Sequence, residues 1–125
     1  MPTLIACLST GKGTWSEVNR IIQSQEWSKV FLITNQFGKE NYTPGKNTEL
    51  VLVESFPDSP TTIITEQVKK QLKDKIADFE VALNFASGSG KEHMALLEAV
   101  LQLGLNFRLI TLNKNNVEVL GLKVS

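Results

Sequence analysis

The sequence predicts one α/β domain over residues 1–125, a three-layer sandwich whose central sheet is mainly parallel. Short, almost wholly apolar runs alternate with segments in which apolar residues recur every three or four positions. These are the patterns of strands and of helices laid across a sheet. Strands without polar alternation are typical of parallel sheets covered on both faces. Hydrophobic residues make up 42% of the chain and charged residues 21%, a composition that suits one globular core.

Six segments of strand length are predicted. The first is nearly all apolar and is broken by Gly11, Lys12 and Gly13. The last follows the turn Asn113–Asn116 and pairs back as a short antiparallel edge strand. The six predicted strands are Thr3–Ser9, Lys29–Thr34, Glu49–Ser55, Phe79–Phe85, Phe107–Leu112 and Val117–Leu120.

Three helices are predicted between these strands. Thr14 has the character of an N-cap, and Glu17 three residues later completes a capping box for the first helix. The second helix begins with Pro60 at or near its first position. The third follows the fourth strand and is ended by Gly104. The polar segment Asn35–Asn47 predicts a long loop with room for one helical turn.

Alternating strands and helices imply right-handed crossovers between parallel strands. The expected sheet order is 3-2-1-4-5, with the sixth strand outside, which is a Rossmann-like arrangement. The first and fourth strands are then neighbours, and the helices that follow them cover opposite faces. Ligands bind at such a switch point, at the carboxyl ends of the strands.

Composition narrows the classes of function. Thirteen basic and thirteen acidic side chains cancel, so the chain lacks the basic coat of a duplex-DNA binder. Cys7 is the only cysteine. It can form neither an internal disulfide nor a zinc site, and it fits a buried thiol in a reducing cytoplasm. No metal-ligand cluster is evident, so no metal or cofactor is expected. Neither a signal peptide nor a membrane span is expected.

Two glycine-rich loops follow the first and fourth strands. Their glycines let backbone N–H groups point outward, their hydroxyls donate hydrogen bonds, and one lysine in each supplies charge. A helix N-terminus after each loop adds a partial positive field. The glycines and serines of either loop alone would also be expected in an ordinary tight turn. Two such loops that meet at one switch point predict an anion-binding site. The loop residues are Ser9, Thr10, Gly11, Lys12, Gly13 and Thr14, then Ser87, Gly88, Ser89, Gly90 and Lys91.

Neither loop matches a common nucleotide fingerprint. A Walker motif would need glycine where Phe85 stands and serine or threonine where Glu92 stands. Gly11 and Gly13 have the first spacing of the dinucleotide fingerprint, but Ser16 holds the third glycine position. ATPase and NAD-dependent dehydrogenase functions are therefore excluded.

Four further side chains lie near the predicted mouth. His93, the only histidine, follows the second loop, where an imidazole suits acid–base work or ligand contact; a structural or surface role is the alternative. Trp15 belongs to the apolar stripe of the first helix and is expected in the core. Phe37 and Tyr42 lie in the long loop and are candidates for a lid over a base.

The third predicted helix is apolar on most of its surface. Either the sheet and a neighbouring helix enclose it, or a second subunit covers it, and we favour a two-fold dimer. The apolar residues are Met94, Ala95, Leu96, Leu97, Ala99, Val100, Leu101 and Leu103.

The segment from Asn84 to Met94 resembles a motif of the CARF family (CRISPR-associated Rossmann-like fold). Members often carry a segment resembling Asn-x-Thr-Gly-Gly-Thr-Lys-x-Met after the fourth strand. Asn84, Ser87, Gly88, Lys91 and Met94 keep that character, although Ser-Gly replaces the Gly-Thr order before the lysine and the spacing is shifted. The first loop also resembles the family's pattern, because serine, threonine and glycine follow the first strand.

The resemblance implies a homodimer that binds cyclic oligoadenylate, the second messenger of type III CRISPR defence. Two copies of Lys12 and Lys91 would place four positive charges opposite the four phosphates of a cyclic tetra-adenylate. Most members carry an attached effector; none is recognisable in these residues, so we expect a stand-alone sensor or a metal-independent ring nuclease.

In ring-nuclease chemistry a ribose 2′-hydroxyl attacks the adjacent phosphate. The residues assigned to catalysis are Ser9, Thr10 and Lys91. Those assigned to ligand binding are Gly11, Lys12, Gly13, Thr14, Asn84, Ser87, Gly88, Ser89, Gly90 and His93.

Three other functions stay open at this point. The protein can be a phospho-ligand or nucleotide binding module that signals without catalysis. It can be a scaffold that docks partners on the apolar third helix and binds no ligand. It can also be a small phosphosugar or mononucleotide enzyme of flavodoxin-like architecture, because sheets of this type host many functions.

Overall fold

The computed structural model describes residues 2–8, 13–53, 59–78 and 80–121. Its strands are β1 (Thr3–Cys7), β2 (Lys29–Thr34), β3 (Thr48–Leu52), β4 (Glu80–Asn84), β5 (Asn106–Asn113) and β6 (Asn116–Val119). Its helices are α1 (Trp15–Gln23), α2 (Gln36–Asn41), α3 (Thr61–Leu72) and α4 (Gly90–Gln102).

The six strands form one sheet in the order β3-β2-β1-β4-β5-β6. All neighbours pair in parallel except β5 and β6, which form an antiparallel edge. The predicted α/β class, the strand order and the antiparallel edge strand are therefore confirmed. In the register at the centre of the sheet, Ala6 of β1 lies opposite Leu32 of β2 and Asn84 of β4.

Helices cover both faces of this sheet. Alternate residues of β1 point to opposite sides: Ile5 and Cys7 pack in the core beneath α3 and α4, whereas Leu4, Ala6 and Leu8 pack beneath α1. This explains why β1 is apolar at successive positions. Because α1 and α4 lie on opposite faces, the edge between β1 and β4 is the expected switch point.

The start of α1 differs from expectation, and the short helix α2 lies in the segment predicted as a long loop with room for one helical turn. Thr14 precedes α1 but makes no side-chain capping bond, so the predicted capping box with Glu17 is wrong. The reason is the backbone of Thr14: its φ of −101° and ψ of 0° are not the extended conformation that turns an N-cap hydroxyl toward the helix. In the segment predicted as a loop, Asn35 caps α2, accepting a hydrogen bond from the N–H of Gly38 at 3.2 Å.

The apolar helix α4 is enclosed mainly by the sheet and by α3. The two helices are linked at their sides, where the Thr65 hydroxyl donates to Glu98 and Lys69 donates to Gln102. Met94 and Leu101, however, remain 61% and 60% exposed. Enclosure by the sheet and a neighbouring helix, the first of the two predicted alternatives, accounts for most of the apolar surface of α4. It does not account for Met94 and Leu101.

Within the described ranges, no helix has the length and apolar character needed to cross a membrane.

Replacing Gly38 with alanine should destabilise the fold. A Cβ at Gly38 would lie 1.9 Å from Oγ1 of Thr34, and that hydroxyl donates to the Leu8 carbonyl at 3.2 Å. The clash forces Thr34 out of this bond, at a cost of about 1–3 kcal/mol typical of overpacking. Urea unfolding would measure it. Gly45→Ala is the matched control, because no atom lies within 4 Å of a Cβ there. Equal midpoints for the two variants would contradict the packing.

Candidate functional site

The candidate site lies at the carboxyl edge of the sheet, where β1, β2 and β4 end together. The N–H of Leu8 donates to the Ile33 carbonyl at 2.9 Å, and the Thr34 hydroxyl donates to the Leu8 carbonyl at 3.2 Å. These bonds extend the pairing of β1 and β2 past the last strand residue. The chain after β1 therefore leaves the sheet from a fixed point.

Asn84 shapes the turn after β4. Its side-chain amide donates to the Ile110 carbonyl of β5 at 3.0 Å, and its Oδ1 accepts from the N–H of Ala86 at 3.1 Å. Only 2% of the residue is exposed. The predicted ligand residue is thus held inside the fold, where it joins β4 to β5 and starts the loop.

The β4–α4 loop packs directly against the end of β1. Gly88 has a φ of +99°, and a Cβ there would lie 3.3 Å from Cβ of Cys7 and 3.2 Å from Nε2 of His93. A side chain would be strained by the backbone and crowded by both neighbours. Ser87, the residue before, is buried. Glycine is therefore required for the loop to reach the switch point.

His93, in the first turn of α4, stabilises this loop. Its Nε2 lies 2.7 Å from the Ser87 carbonyl oxygen. Because a carbonyl only accepts, Nε2 carries the proton. The ring also stacks on Phe85, with centroids 4.7 Å apart and planes 20° apart. His93, a predicted ligand contact, is therefore held by the Ser87 carbonyl on one side and by the Phe85 ring on another.

Ser89 and Glu92 form a capping box at the start of α4. The N–H of Ser89 donates to Oε1 of Glu92 at 3.1 Å, and the Ser89 hydroxyl donates to Oε2. Glu92 is 3% exposed, so a buried carboxylate already lies at this helix end. Glu92 is not among the site residues predicted from the sequence, although the Ser-x-x-Glu spacing of a capping box is a signal that indicates it.

The remaining predicted residues divide by whether the structure describes them. Ser9, Thr10, Gly11 and Lys12 lie outside the described residues, so the predicted approach of Lys12 to Lys91 stays a prediction. In the other loop, Gly90 and Lys91 form the first turn of α4, directly after Ser89.

The two described residues of the first loop, Gly13 and Thr14, lead into α1. Gly13 is exposed to solvent. The Thr14 hydroxyl oxygen is buried and has no hydrogen-bond partner in the described part of the chain.

Cys7 lies beneath the second loop as a neutral thiol. Burial raises the pKa of Cys7 from 9.0 to about 12, and the nearby Glu92 carboxylate adds to this shift. A thiol with so high a pKa is not a nucleophile at neutral pH. Cys7 therefore belongs to the packing of the site and not to its chemistry.

A cavity of about 500 Å³ lies at the opposite, amino edge of the sheet. Glu49 on its wall pairs with Lys75 at 2.5 Å and with Lys29 at 3.6 Å. The hydrogen bond from Lys75 lowers the pKa of Glu49. None of the predicted site residues that the structure describes lines this cavity. In the described ranges no three His, Cys, Asp or Glu side chains are grouped as metal ligands.

Comparison with known proteins found no match, either among protein-family models or among curated proteins.

The pH dependence of stability should report the buried thiol. In the folded protein the pKa of Cys7 is about 12, above its ordinary value of 9.0. The stability that the buried neutral thiol contributes is therefore fully present below pH 9, and it is lost as the pH rises from 9 toward 12. Relative to a Cys7→Ala variant, the wild type should lose about 1.4 kcal/mol of unfolding free energy between pH 8 and pH 10. Urea unfolding at both pH values measures this difference. Stability curves that stay parallel would contradict the burial of a neutral thiol.

Proposed function

We propose that this chain binds a cyclic oligoadenylate at the carboxyl edge of its sheet, as a homodimer. The observation that carries the proposal is the packing of the β4–α4 loop against β1, where a Cβ on Gly88 would lie 3.3 Å from Cβ of Cys7. It brings a loop of small residues to the switch point of a Rossmann-like sheet, where such folds bind ligands. The resemblance of Asn84–Met94 to the CARF motif supplies the class of ligand.

Lys91 supplies the positive charge in the described part of the site. It is half-buried in the first turn of α4 and forms no ion pair with a described residue. An ammonium group held at a glycine-rich loop suits a phosphate group. In this proposal Lys91 contacts one phosphate, with Lys12 of the first loop as its expected counterpart.

The outward face of α4 supports the homodimer. Met94 and Leu101 are seven residues apart, so they lie two turns apart on the same face of the helix. Lys91 precedes Met94 by three residues and lies near that face. Pairing of two copies through this face would cover both apolar side chains and bring two Lys91 groups together. The resulting pair of charges would face a cyclic ligand with several phosphates.

Ring cleavage is the proposed activity of this complex. The ribose 2′-oxygen attacks the neighbouring phosphorus, a 2′,3′-cyclic phosphate forms, and the 5′-oxygen leaves and takes up the proton released by the 2′-hydroxyl. Lys91 would stabilise the negative charge that develops on the phosphate. Ser9 or Thr10 would orient the attacking group.

A scaffold or binding module without catalysis is the second candidate. The exposure of Met94 and Leu101 equally suits docking of another protein on α4. The two candidates differ in ligand binding: a scaffold would give neither heat nor thermal shift with cyclic tetra- or hexa-adenylate.

Removal of Lys91 tests the proposed ligand. Lys91→Ala should weaken binding of cyclic tetra-adenylate at least about tenfold, because a charge-assisted contact contributes about 1.5–3 kcal/mol. Titration calorimetry measures the affinity. Chromatography of the ligand after incubation with a chelator then tests cleavage. Lys73→Ala is the matched control, since Lys73 is an exposed lysine that follows the far end of α3. A wild type that binds neither ring, or a Lys91 variant with unchanged affinity, would refute the proposed site.

Substitution on the outward face of α4 tests the dimer. Met94→Glu with Leu101→Glu should convert a dimer to a monomer, because both side chains would place charge in an apolar interface. Light scattering after size exclusion measures the mass. Leu120→Glu is the control: Leu120 is also an exposed apolar residue, at 48%, but it follows β6. A wild-type monomer, with and without cyclic tetra-adenylate, would count against a homodimer.

A further inference from the structure

A side chain of α3 lies against the outer edge of β3, the strand at which the sheet ends on one side. The outer strand of a sheet carries backbone N–H and C=O groups that have no strand beside them. Such groups can pair with a strand of another molecule, and proteins have several ways of preventing this. The hydrogen bonds along β3 show which of its groups are open and which are covered.

Successive residues of β3 turn their backbone groups alternately toward β2 and away from it. Just before the strand, the Asn47 carbonyl accepts from the Val30 N–H at 2.8 Å, and just after it the Val53 N–H donates to the Thr34 carbonyl at 2.8 Å. The odd-numbered residues therefore face β2. The backbone groups that face the outer edge are those of Thr48, Leu50 and Leu52.

Gln71 of α3 covers the outer edge at Leu52. Its Oε1 accepts from the Leu52 N–H at 3.2 Å, and its Nε2 donates to the Leu52 carbonyl at 2.7 Å. One side-chain amide thus makes both bonds that a neighbouring strand would make with this residue. Nε2 also donates to the Gln67 carbonyl, one turn earlier in α3, at 3.3 Å. This third bond holds the amide in place beside the strand.

The rest of the described edge offers few open groups. The Thr48 N–H belongs to a turn, in which it donates to the Gly45 carbonyl at 3.2 Å. Between Thr48 and Leu52, Leu50 is the residue whose two outward groups have no bond to another described residue outside the strand. Because a stable strand pair needs a run of open groups, the bonds to Gln71 interrupt the run at its end.

A second copy of β3 is the strand that this edge fits best when it is open. In an antiparallel pair of two β3 strands centred on Leu50, the two Leu50 residues would exchange both of their N–H···O=C bonds. Each Thr48 would then lie opposite Leu52 of the other copy. A two-fold pairing of this kind uses the same groups on both copies. In the fold as it stands, Gln71 already holds the groups of Leu52 that the pairing needs.

We propose that Gln71 blocks the outer edge of β3 against pairing with β3 of a second copy. The bonds of Gln71 to the backbone of Leu52 replace those of a neighbouring strand. The block does not depend on the proposed ligand, because β2 separates β3 from the contact between β1 and β4.

Gln71→Met tests the block. Methionine keeps an unbranched side chain and the helix propensity but removes both amide groups. The variant should form a species of at least twice the wild-type mass, in a fraction that rises with protein concentration. Light scattering after size exclusion measures the mass. Lys70→Met is the matched control, since it places the same side chain at the next, exposed position of α3. Urea unfolding confirms that each variant is folded.

Gln71→Glu separates blocking from a simple loss of stability. Its carboxylate cannot donate to the Leu52 carbonyl, so the fold should be destabilised, yet its charge at the edge should keep the wild-type mass. Association of Gln71→Glu as strong as that of Gln71→Met would overturn the proposal. The proposal would equally be overturned by a folded Gln71→Met whose mass stays that of the wild type at every concentration.

Hydrogen exchange of single amides locates the pairing. In the wild type the Leu52 amide should be protected and the Leu50 amide should exchange fast. In dilute Gln71→Met, exchange of the Leu52 amide should quicken roughly 2- to 12-fold, as for loss of one hydrogen bond. In the associated form the Leu50 amide should become protected. A wild-type Leu52 amide that exchanges as fast as that of Leu50, or an associated variant with Leu50 unprotected, would contradict the proposed block.

Discussion

The contact between Gly88 and Cys7 is the constraint on which the carboxyl edge depends. It holds the loop after β4 so close to the end of β1 that a Cβ on the glycine would lie only 3.3 Å from Cβ of Cys7. The same loop presents the Ser87 carbonyl to His93 and places Ser89 at the start of α4. A larger residue in place of Cys7 would push against this loop. The small size of the buried thiol, and not its reactivity, accounts for its place here.

Glu92 sets the electrostatics of the same edge. Its carboxylate accepts both donors of Ser89 and lies near enough to Cys7 to raise that pKa. The N-terminus of α4 is therefore already occupied by a negative charge of the protein, next in sequence to Lys91. An anionic ligand gains little from this helix end alone. In the proposed function, the additional positive charge comes from Lys12 of the first loop and from Lys91 of a second subunit.

The sequence predicts the fold well because the sheet order follows from apolar strands and right-handed crossovers. The local geometry of the loops is harder to predict from the sequence. Thr14–Glu17 and Ser89–Glu92 carry the same capping pattern, yet only the second forms the box. Ser89 has a ψ of 170° and Thr14 a ψ of 0°, so only Ser89 has the extended backbone that a capping box needs. A four-residue pattern does not contain that information, and packing decides the outcome.

The same distinction applies to the residues of the motif. Asn84 is bonded to Ile110 and Ala86, and His93 to Ser87, so much of the motif specifies the shape of a loop. A shape of this kind can be shared by proteins with different ligands. Among the described residues at this edge, the Lys91 ammonium forms no ion pair and the Thr14 hydroxyl has no hydrogen-bond partner. Of these two groups the motif contains only Lys91, so the residues that fix the loop and the groups open to a ligand are largely different residues.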